Sequence, residues 1–172
     1  EVALGTIEAW GVSNWSAERF WEARTRADVA VPVATSPQFS LVDQLAEPWP
    51  GVTTITGPAH AEERARLADS EISVITWSPL AGGFLTAARR PESATDAETT
   101  RCYDSLQNRD RRDRSLQLAT LRGCSPEQVA IAYVATSPFR AHVVCAARSG
   151  LEAAANLQAA EMGLTSGERR GV

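Results

Sequence analysis

Apolar residues along the chain come in short blocks, and a stretch with helical spacing or charged residues follows each block. Blocks rich in β-branched residues predict strands over 6–12, 31–35, 72–77 and 142–146. The block at 31–35 is almost continuously apolar, which is typical of a parallel strand buried on both faces. Repeated strand-then-helix units predict an α/β fold with a parallel sheet and right-handed crossovers.

Helix signals separate the strands. The predicted helices lie after Ser16 to about residue 27 and over 61–69, 109–121, 126–136 and 151–160. The clearest start follows Ser125, a serine that can cap a helix. Pro126 stands at the first helical position and Gln128 at the capping-box position.

Three connecting segments have their own signals. The Glu-Pro-Trp-Pro-Gly stretch at 47–51 predicts a rigid turn, and 52–56 alternates like a short additional strand. Residues 89–108 are polar without apolar periodicity, so we expect a long mobile lid or substrate loop there. Tyr103 falls inside this loop and is expected to be exposed.

The number of units bounds the architecture. A chain of 172 residues has room for one ordinary domain, taken here as 1–172. A closed (β/α)8 barrel needs about 200 residues or more, so the prediction is a parallel unit of four to five strands resembling half of a TIM barrel. An open doubly wound sheet is the alternative, although no G-x-G-x-x-G motif follows the first strand.

Charge and composition exclude several kinds of partner. The net charge is −4 and all 17 basic residues are arginine, which argues against binding nucleic acid through phosphates. The apolar runs fall well short of the roughly 20 residues that span a bilayer, and no secretion signal opens the chain. Three dispersed cysteines and two distant histidines match no metal-site spacing. We therefore expect a cytoplasmic protein with reduced thiols and no metal.

The predicted strand ends carry the candidate chemistry, because functional residues of a (β/α)8 barrel lie at the carboxyl ends of its strands. These ends read Gly-Val-Ser-Asn-Trp at 11–15, Ser-Pro-Gln-Phe at 36–39, Trp-Ser-Pro-Leu-Ala-Gly-Gly at 77–83 and Ala-Arg-Ser at 147–149. The first, third and fourth segments resemble, in order and spacing, the C-terminal half of the aldo-keto reductase family. The resemblance extends from Gly5 to about Glu168.

The resemblance implies that the chain binds NADP(H). By position, Ser13 and Asn14 match the pair that hydrogen-bonds the nicotinamide carboxamide, and Trp77 matches the residue that stacks on the nicotinamide ring. Ser36 stands where the family often has a glutamine that reaches the same carboxamide. Residues matching the pyrophosphate loop are Ser78, Leu80 and Gly82. Residues matching the adenosine end are Arg148, near the 2′-phosphate, and Glu152 and Asn156, which face the adenine.

Physical arguments support part of this assignment. Arg148, Glu152 and Asn156 are spaced four residues apart, which would place them on one face of a helix whose N-terminus favours a phosphate. Each site also has an ordinary structural explanation. Ser13 and Asn14 could cap the next helix, Trp77 could fill the barrel mouth, Gly82-Gly83 could form a tight turn, and Arg148 could pair with Glu152.

The catalytic machinery is the main departure from the family. Its catalytic aspartate, tyrosine, lysine and histidine lie before the Gly-Val-Ser-Asn segment. Here only ten residues precede Gly11, none of them tyrosine, lysine or histidine, and the chain contains no lysine. Smaller departures are Ser36, Ala146 where glycine is usual, and Glu152 where glutamine is common.

Three hypotheses follow. In the first, the chain is a reductase half that acts when a second chain completes it, either another copy in a homo-oligomer or a complementary half-barrel. In the second, it is a biosynthetic enzyme with non-redox chemistry, such as a cyclase or isomerase acting on a small molecule. In the third, it is a non-catalytic interaction module.

Overall fold

The computed structural model describes residues 1–26, 30–87 and 97–172, and its four strands form one parallel sheet in the order β1-β2-β3-β4. The strands are β1 Gly11–Ser13, β2 Ala34–Ser36, β3 Ser73–Trp77 and β4 Arg140–Val144. A doubly wound sheet would reverse direction along its strand order, whereas this order follows the sequence. The sequential order is that of a singly wound (β/α)8 barrel, and four strands make half of one.

Seven α-helices are present in the described residues. They are α1 Ala17–Arg24, α2 Ala61–Ala68, α3 Ala97–Tyr103, α4 Leu106–Arg122, α5 Pro126–Ala135, α6 Gly150–Met162 and α7 Ser166–Gly171. Side-chain caps set several starts as predicted. Ser16 accepts a hydrogen bond from the Arg19 N–H, and Ser125 and Gln128 form the expected capping box.

Several predicted boundaries were wrong. The first strand covers only its end, because backbone pairing with β2 begins where the Val33 N–H donates to the Trp10 carbonyl at 2.9 Å. Residues 52–56 make an isolated bridge between Gln38 and Thr54 rather than a strand. The polar stretch 89–108 is not all loop, since α3 lies within it and α4 begins there under a Ser105 cap. Its part at 89–96 lies outside the described residues.

The core has two adjoining parts. One packs helices against the sheet and contains Phe20, Phe39, Leu67, Val74 and Val134. The other lies beneath the segments that follow β2 and β3. Its members are Leu41, Val42, Ala81, Phe84, Leu85, Cys102, Tyr103 and Ala130. Each fully buried leucine or phenylalanine contributes roughly 1.5–3 kcal/mol, so this second part anchors the segments above the strand ends.

Strand alternation divides the sheet into two faces. Val12, Val74 and Val143 point toward the helices and pack in the first part of the core. Alternate residues point the other way and are exposed or half-exposed. We call this second surface the open face. Its members are Gly11, Ser13, Ala34, Ser36, Ser73, Ile75, Trp77, Arg140, His142 and Val144.

Candidate functional site

The carboxyl ends of β1, β2 and β3 converge on one backbone atom, the Ser36 carbonyl oxygen. It accepts from the Asn14 N–H at 3.2 Å, the Trp77 Nε1–H at 3.4 Å and, more weakly, the Ser13 hydroxyl at 3.5 Å. The Ser36 hydroxyl donates to the Ile75 carbonyl at 2.7 Å. The structure thus brings together Ser13, Asn14, Ser36 and Trp77, four of the residues singled out from the sequence.

Two of these strand ends adopt an uncommon backbone conformation. Asn14 has φ 54° and Ser78 has φ 56°, in the left-handed region that non-glycine residues seldom occupy. The Asn14 Oδ1 accepts from the Thr53 N–H at 3.3 Å, and Ser16 is the residue that caps α1. Asn14 is therefore not the helix cap, and its side chain lies across the end of the sheet.

The indole of Trp77 is covered by a second tryptophan. Trp49 stacks on it with ring centroids 5.3 Å apart and an interplanar angle of 23°. Sequence reasoning missed this residue, because the 47–51 turn was interpreted only as a rigid connection. A tryptophan held between two prolines has restricted backbone freedom, and that pattern was the available signal for a positioned aromatic ring.

Trp49 belongs to a structure that we call the cover, formed by residues 45–50 and α3. The two pieces are joined by the Leu45 N–H, which donates to the Cys102 carbonyl at 2.7 Å, and by Arg101, whose Nη2 donates to the Glu47 carbonyl at 3.0 Å. Beneath the cover lies a cavity of about 160 Å³ that has aromatic, hydroxyl and glycine residues in its lining, together with Pro48, Glu98 and Cys102. Its walls include Trp49, Trp77, Ser78, Gly82, Thr99 and Tyr103.

Asn108 fixes the cover from below. Its side chain is fully buried, its Oδ1 accepts from the Asp43 N–H at 3.0 Å, and its Nδ2 donates to the Asp43 and Tyr103 carbonyls at 2.8 and 2.7 Å. One amide thus satisfies three backbone groups, one donor and two acceptors, which belong to Asp43, just before the 45–50 segment, and to Tyr103 at the end of α3. Leaving buried polar groups unpaired costs free energy, so these three hydrogen bonds fix the position of the cover relative to Trp77.

Tyr103 is buried, contrary to the expectation of an exposed loop tyrosine. Its relative exposure is 3 %, since α3 packs it into the second part of the core. Burial raises the pKa of Tyr103 to about 12, and a hydrogen bond to the Ser78 side chain offsets only part of that effect. A phenol with so high a pKa is a poor proton donor to a carbonyl near neutral pH, so Tyr103 is a wall residue.

The loop after β3 folds into a tight turn whose polar groups largely bind one another. Gly82 has φ 61°, its N–H donates to the Ser78 hydroxyl at 3.1 Å, and its carbonyl accepts from Thr99 at 2.9 Å. A Cβ on Gly82 would lie 3.2 Å from the Thr99 hydroxyl oxygen, so glycine suits this close approach. The Leu80 carbonyl accepts from the Gly83 N–H at 3.0 Å.

The candidate residues at the adenosine end form a separate group after β4. Helix α6 begins at Gly150 with Ser149 as its cap, so Arg148 precedes the helix and does not share a helical face with Glu152 and Asn156. Glu152 accepts from the Arg148 backbone N–H at 2.6 Å and from its Nη2 at 3.1 Å. These contacts hold the pKa of Glu152 below its usual value. Asn156 donates to the Ala146 carbonyl at 3.1 Å.

The described residues contain neither a cluster of metal-ligating side chains nor a membrane-spanning helix. In that part of the chain, no group of three or more histidine, cysteine, aspartate or glutamate side chains is placed to hold a metal ion. No helix in the described ranges is both long and apolar enough to cross a membrane. The three cysteines are unpaired, with Cys102 buried and Cys145 exposed.

Comparison with known proteins covers nearly the whole chain. The family model described as "Aldo/keto reductase family" matches residues 2–169. Probable voltage-gated potassium channel beta subunits from Oryza sativa subsp. japonica and Arabidopsis thaliana are each 26% identical, over 165 and 166 residues. Each match covers 89% of this chain and 47% of the relative. The chain thus spans about half the length of these relatives.

Solved structures give the same picture of the fold. A thermostable aldo-keto reductase solved with the inhibitor epalrestat superposes with a TM-score of 0.67 at 17% identity, covering 98% of this chain and 48% of that one. An aldo-keto reductase from Bacillus halodurans in its apo form gives 0.67 at 22% identity, covering 99% and 51%. The parallel unit described above is therefore half of such a (β/α)8 barrel, and the chain belongs to the aldo/keto reductase family.

Proposed function

We propose that this chain is the NADP(H)-binding half of an oxidoreductase and that it becomes active when a second β/α half completes the barrel. The convergence of β1, β2 and β3 on the Ser36 carbonyl carries this proposal. It supports the proposal because Asn14, Ser36 and Trp77, which the family resemblance assigns to the nicotinamide end, lie at neighbouring strand ends. We propose further that residues 1–172 act as one domain and that the protein is cytoplasmic.

The residues present fit the cofactor in part. The indole of Trp77 is a flat surface of the kind on which a nicotinamide ring stacks, and the Asn14 amide offers the donor and acceptor groups that a carboxamide pairs with. Ser36 is too short to reach as far as the glutamine common in the family. At the other end, Arg148 offers a forked donor for a 2′-phosphate, but Glu152 already binds it. When bound, the cofactor would supply hydride.

The described residues hold and orient rather than transfer a proton. Asn14 would orient the carboxamide, and Trp77 would fix the plane of the ring once Trp49 has moved off its face. We do not assign the acid to Tyr103, because burial raises the pKa of this phenol to about 12. The proton donor would come from the completing half. For this reason we favour the reductase half over a cyclase or isomerase built on Tyr103.

The direct test is titration of the chain with NADPH, monitored by tryptophan fluorescence. We expect quenching that saturates below millimolar NADPH and that is mostly lost in Trp77→Phe. Asn14→Ala should weaken binding without abolishing the change in fluorescence. Leu121→Ala is a suitable control, since this side chain is 84% exposed on α4. If millimolar NADPH produces no quenching and no heat of binding, the cofactor assignment is wrong.

A further inference from the structure

Another cavity lies among the helices and shares no lining residue with the cavity beneath the cover. It has a volume of about 400 Å³, and its lining residues come from α2, α4, α5 and the segment after β2. Sites for small molecules commonly have volumes of about 300–1,000 Å³. We call it the helix cavity, and its wall includes Leu41, Asp43, Ala61, Arg64, Arg111 and Tyr133.

Two guanidinium groups in this wall have unused hydrogen-bond donors. Arg64 binds through Nη1 alone, which donates to the Ile55 and Gly57 carbonyls at 2.6 and 2.7 Å. Arg111 also binds through Nη1 alone, to Asp43 Oδ1 at 2.5 Å and to a backbone carbonyl at 3.4 Å. Within the described residues, Nε and Nη2 of both arginines have no partner, and neither atom is among the fully buried unpaired ones. Each arginine thus keeps the two parallel N–H donors that bind an oxyanion as a fork.

The wall of the helix cavity also carries surplus positive charge. Asp43 pairs with Arg111, whereas Arg64 has no carboxylate within salt-bridge distance in the described part of the chain. Glu63 precedes Arg64 in sequence but binds the His60 ring at 3.3 Å. The charge of Arg64 is therefore not balanced by a direct ion pair.

A third guanidinium adjoins the helix cavity through the ring of Tyr133. The Cζ of Arg169 lies 3.9 Å from the centre of that ring. Its hydrogen bonds in the described ranges go to neutral acceptors, namely the Tyr133 carbonyl and the hydroxyls of Thr136 and Ser137. Burial lowers the pKa of Arg169, and the nearby charge of Arg64 lowers it further. An anion bound at Arg64 would offset this repulsion between two like charges.

We propose that the helix cavity binds a small organic molecule through a phosphate monoester group. A phosphate has three terminal oxygens in a tetrahedral arrangement, so it can accept forks from two arginines that stand on different helices. A carboxylate has two coplanar oxygens and suits one fork. Leu41 and the Tyr133 ring supply an apolar wall for the organic part of the ligand. The site is separate from the proposed cofactor site and does not depend on it.

Isothermal titration calorimetry of the full chain with phenyl phosphate tests this site. We expect saturable binding with a Kd of about 1 mM or lower, and at least about tenfold weaker binding of benzoate, which carries a carboxylate instead. Absence of saturable binding, or equal binding of benzoate, would overturn the proposal. Inorganic phosphate that binds as tightly as phenyl phosphate would also overturn it, because the apolar wall would then contribute nothing.

Ala61→Glu adds a carboxylate to the cavity wall without removing a side-chain hydrogen bond, since Ala61 is exposed on the first turn of α2. It should raise the Kd for phenyl phosphate at least about tenfold. Ala154→Glu is the matched control, because it makes the same charge change at an exposed position of α6 and should change the Kd less than about twofold.

Arg64→Lys keeps the charge but removes the fork, and it should also raise the Kd for phenyl phosphate. Circular dichroism would verify that each variant is folded, and Ala61→Glu remains decisive if Arg64→Lys does not fold. An unchanged Kd in folded Ala61→Glu would show that the ligand binds elsewhere and would overturn the proposal.

NADPH distinguishes this site from the proposed cofactor site. Saturating phenyl phosphate should change the Kd for NADPH by less than about twofold, and Trp77→Phe should leave phenyl phosphate binding unchanged. Competition between the two ligands would overturn the proposal, because the helix cavity would then belong to the cofactor site. Loss of NADPH binding alone would instead count against the cofactor assignment.

Discussion

Removal of the Trp49 indole should strengthen cofactor binding. In the structure this ring occupies a face of Trp77 on which a nicotinamide ring would stack, so binding must first displace it. Trp49 is 52% exposed, and therefore the main interaction lost on displacement is the stacked contact itself. Such aromatic pairs contribute about 0.5–1.5 kcal/mol beyond burial of area. At 1.4 kcal/mol per factor of ten, Trp49→Ala should lower the Kd for NADPH by about 2- to 12-fold.

Isothermal titration calorimetry is the suitable assay, because Trp49→Ala changes the fluorescence baseline. Leu45→Ala is the matched control, since it lies in the same segment, is 50% exposed and keeps its backbone hydrogen bond to Cys102. It should leave the Kd unchanged. A higher Kd in Trp49→Ala would refute the reasoning, because Trp49 would then contribute to the cofactor site instead of covering it. If neither wild type nor variant binds NADPH, the cofactor assignment is wrong, and that result does not count against the stacking of Trp49 on Trp77.

Three further predictions concern stability and selectivity. Asn108→Ala should lower the free energy of unfolding by about 3–5 kcal/mol in urea titrations, because it removes the three hydrogen bonds of a fully buried side chain. Leu121→Ala on the same helix should change it by less than about 0.5 kcal/mol. An unchanged midpoint in Asn108→Ala would contradict this account of the cover. Glu152→Gln should lower the Kd for NADPH several-fold more than the Kd for NADH, since it frees Arg148 beside the expected 2′-phosphate; equal effects on both would show that the phosphate lies elsewhere. Arg122 and Thr165 hold the pKa of Glu168 at about 2, below its ordinary 4.5, so its stabilising contribution should be complete above pH 4.5 and be lost as pH falls toward 2. The acid-induced loss of stability should be smaller in Glu168→Gln, and an identical pH profile would contradict the pairing.

Local signals allowed much of the fold to be predicted from the sequence. The helix starts at Ser16 and Ser125 depend on a cap and a backbone N–H a few residues away, so a short window contains the whole interaction. The order of the four strands and of α1, α2, α4, α5 and α6 was likewise visible in the spacing of apolar residues, whereas α3 and α7 were not predicted. The start of β1 could not be predicted from the spacing of apolar residues. A strand begins where its neighbour pairs with it, and that neighbour lies more than twenty residues away.

The cover was not predictable because its contacts join distant parts of the chain. Helix α3 has a weak apolar pattern, and the burial of Cys102 and Tyr103 depends on packing against Leu41 and Phe84. The stacking of Trp49 on Trp77 requires knowing that the 47–51 turn lies over the end of β3. Sequence motifs pointed to the residues of the candidate site. The hydrogen-bonding and stacking partners of these residues became visible only in the structure.

The crossover from β3 to β4 has a consequence for how this fold can change. Residues 78–139 leave the sheet at Trp77 and return at Arg140, directly beside the strand they left. That single excursion carries the turn at Gly82, helix α3, Asn108 and the buried part of α5. Because loop-closure entropy grows slowly with length, insertions at exposed positions of this crossover need not alter strand register, whereas α5 is held by its place in both parts of the core. The exposed part of the crossover is therefore where this fold can change in length while the sheet and the core stay the same.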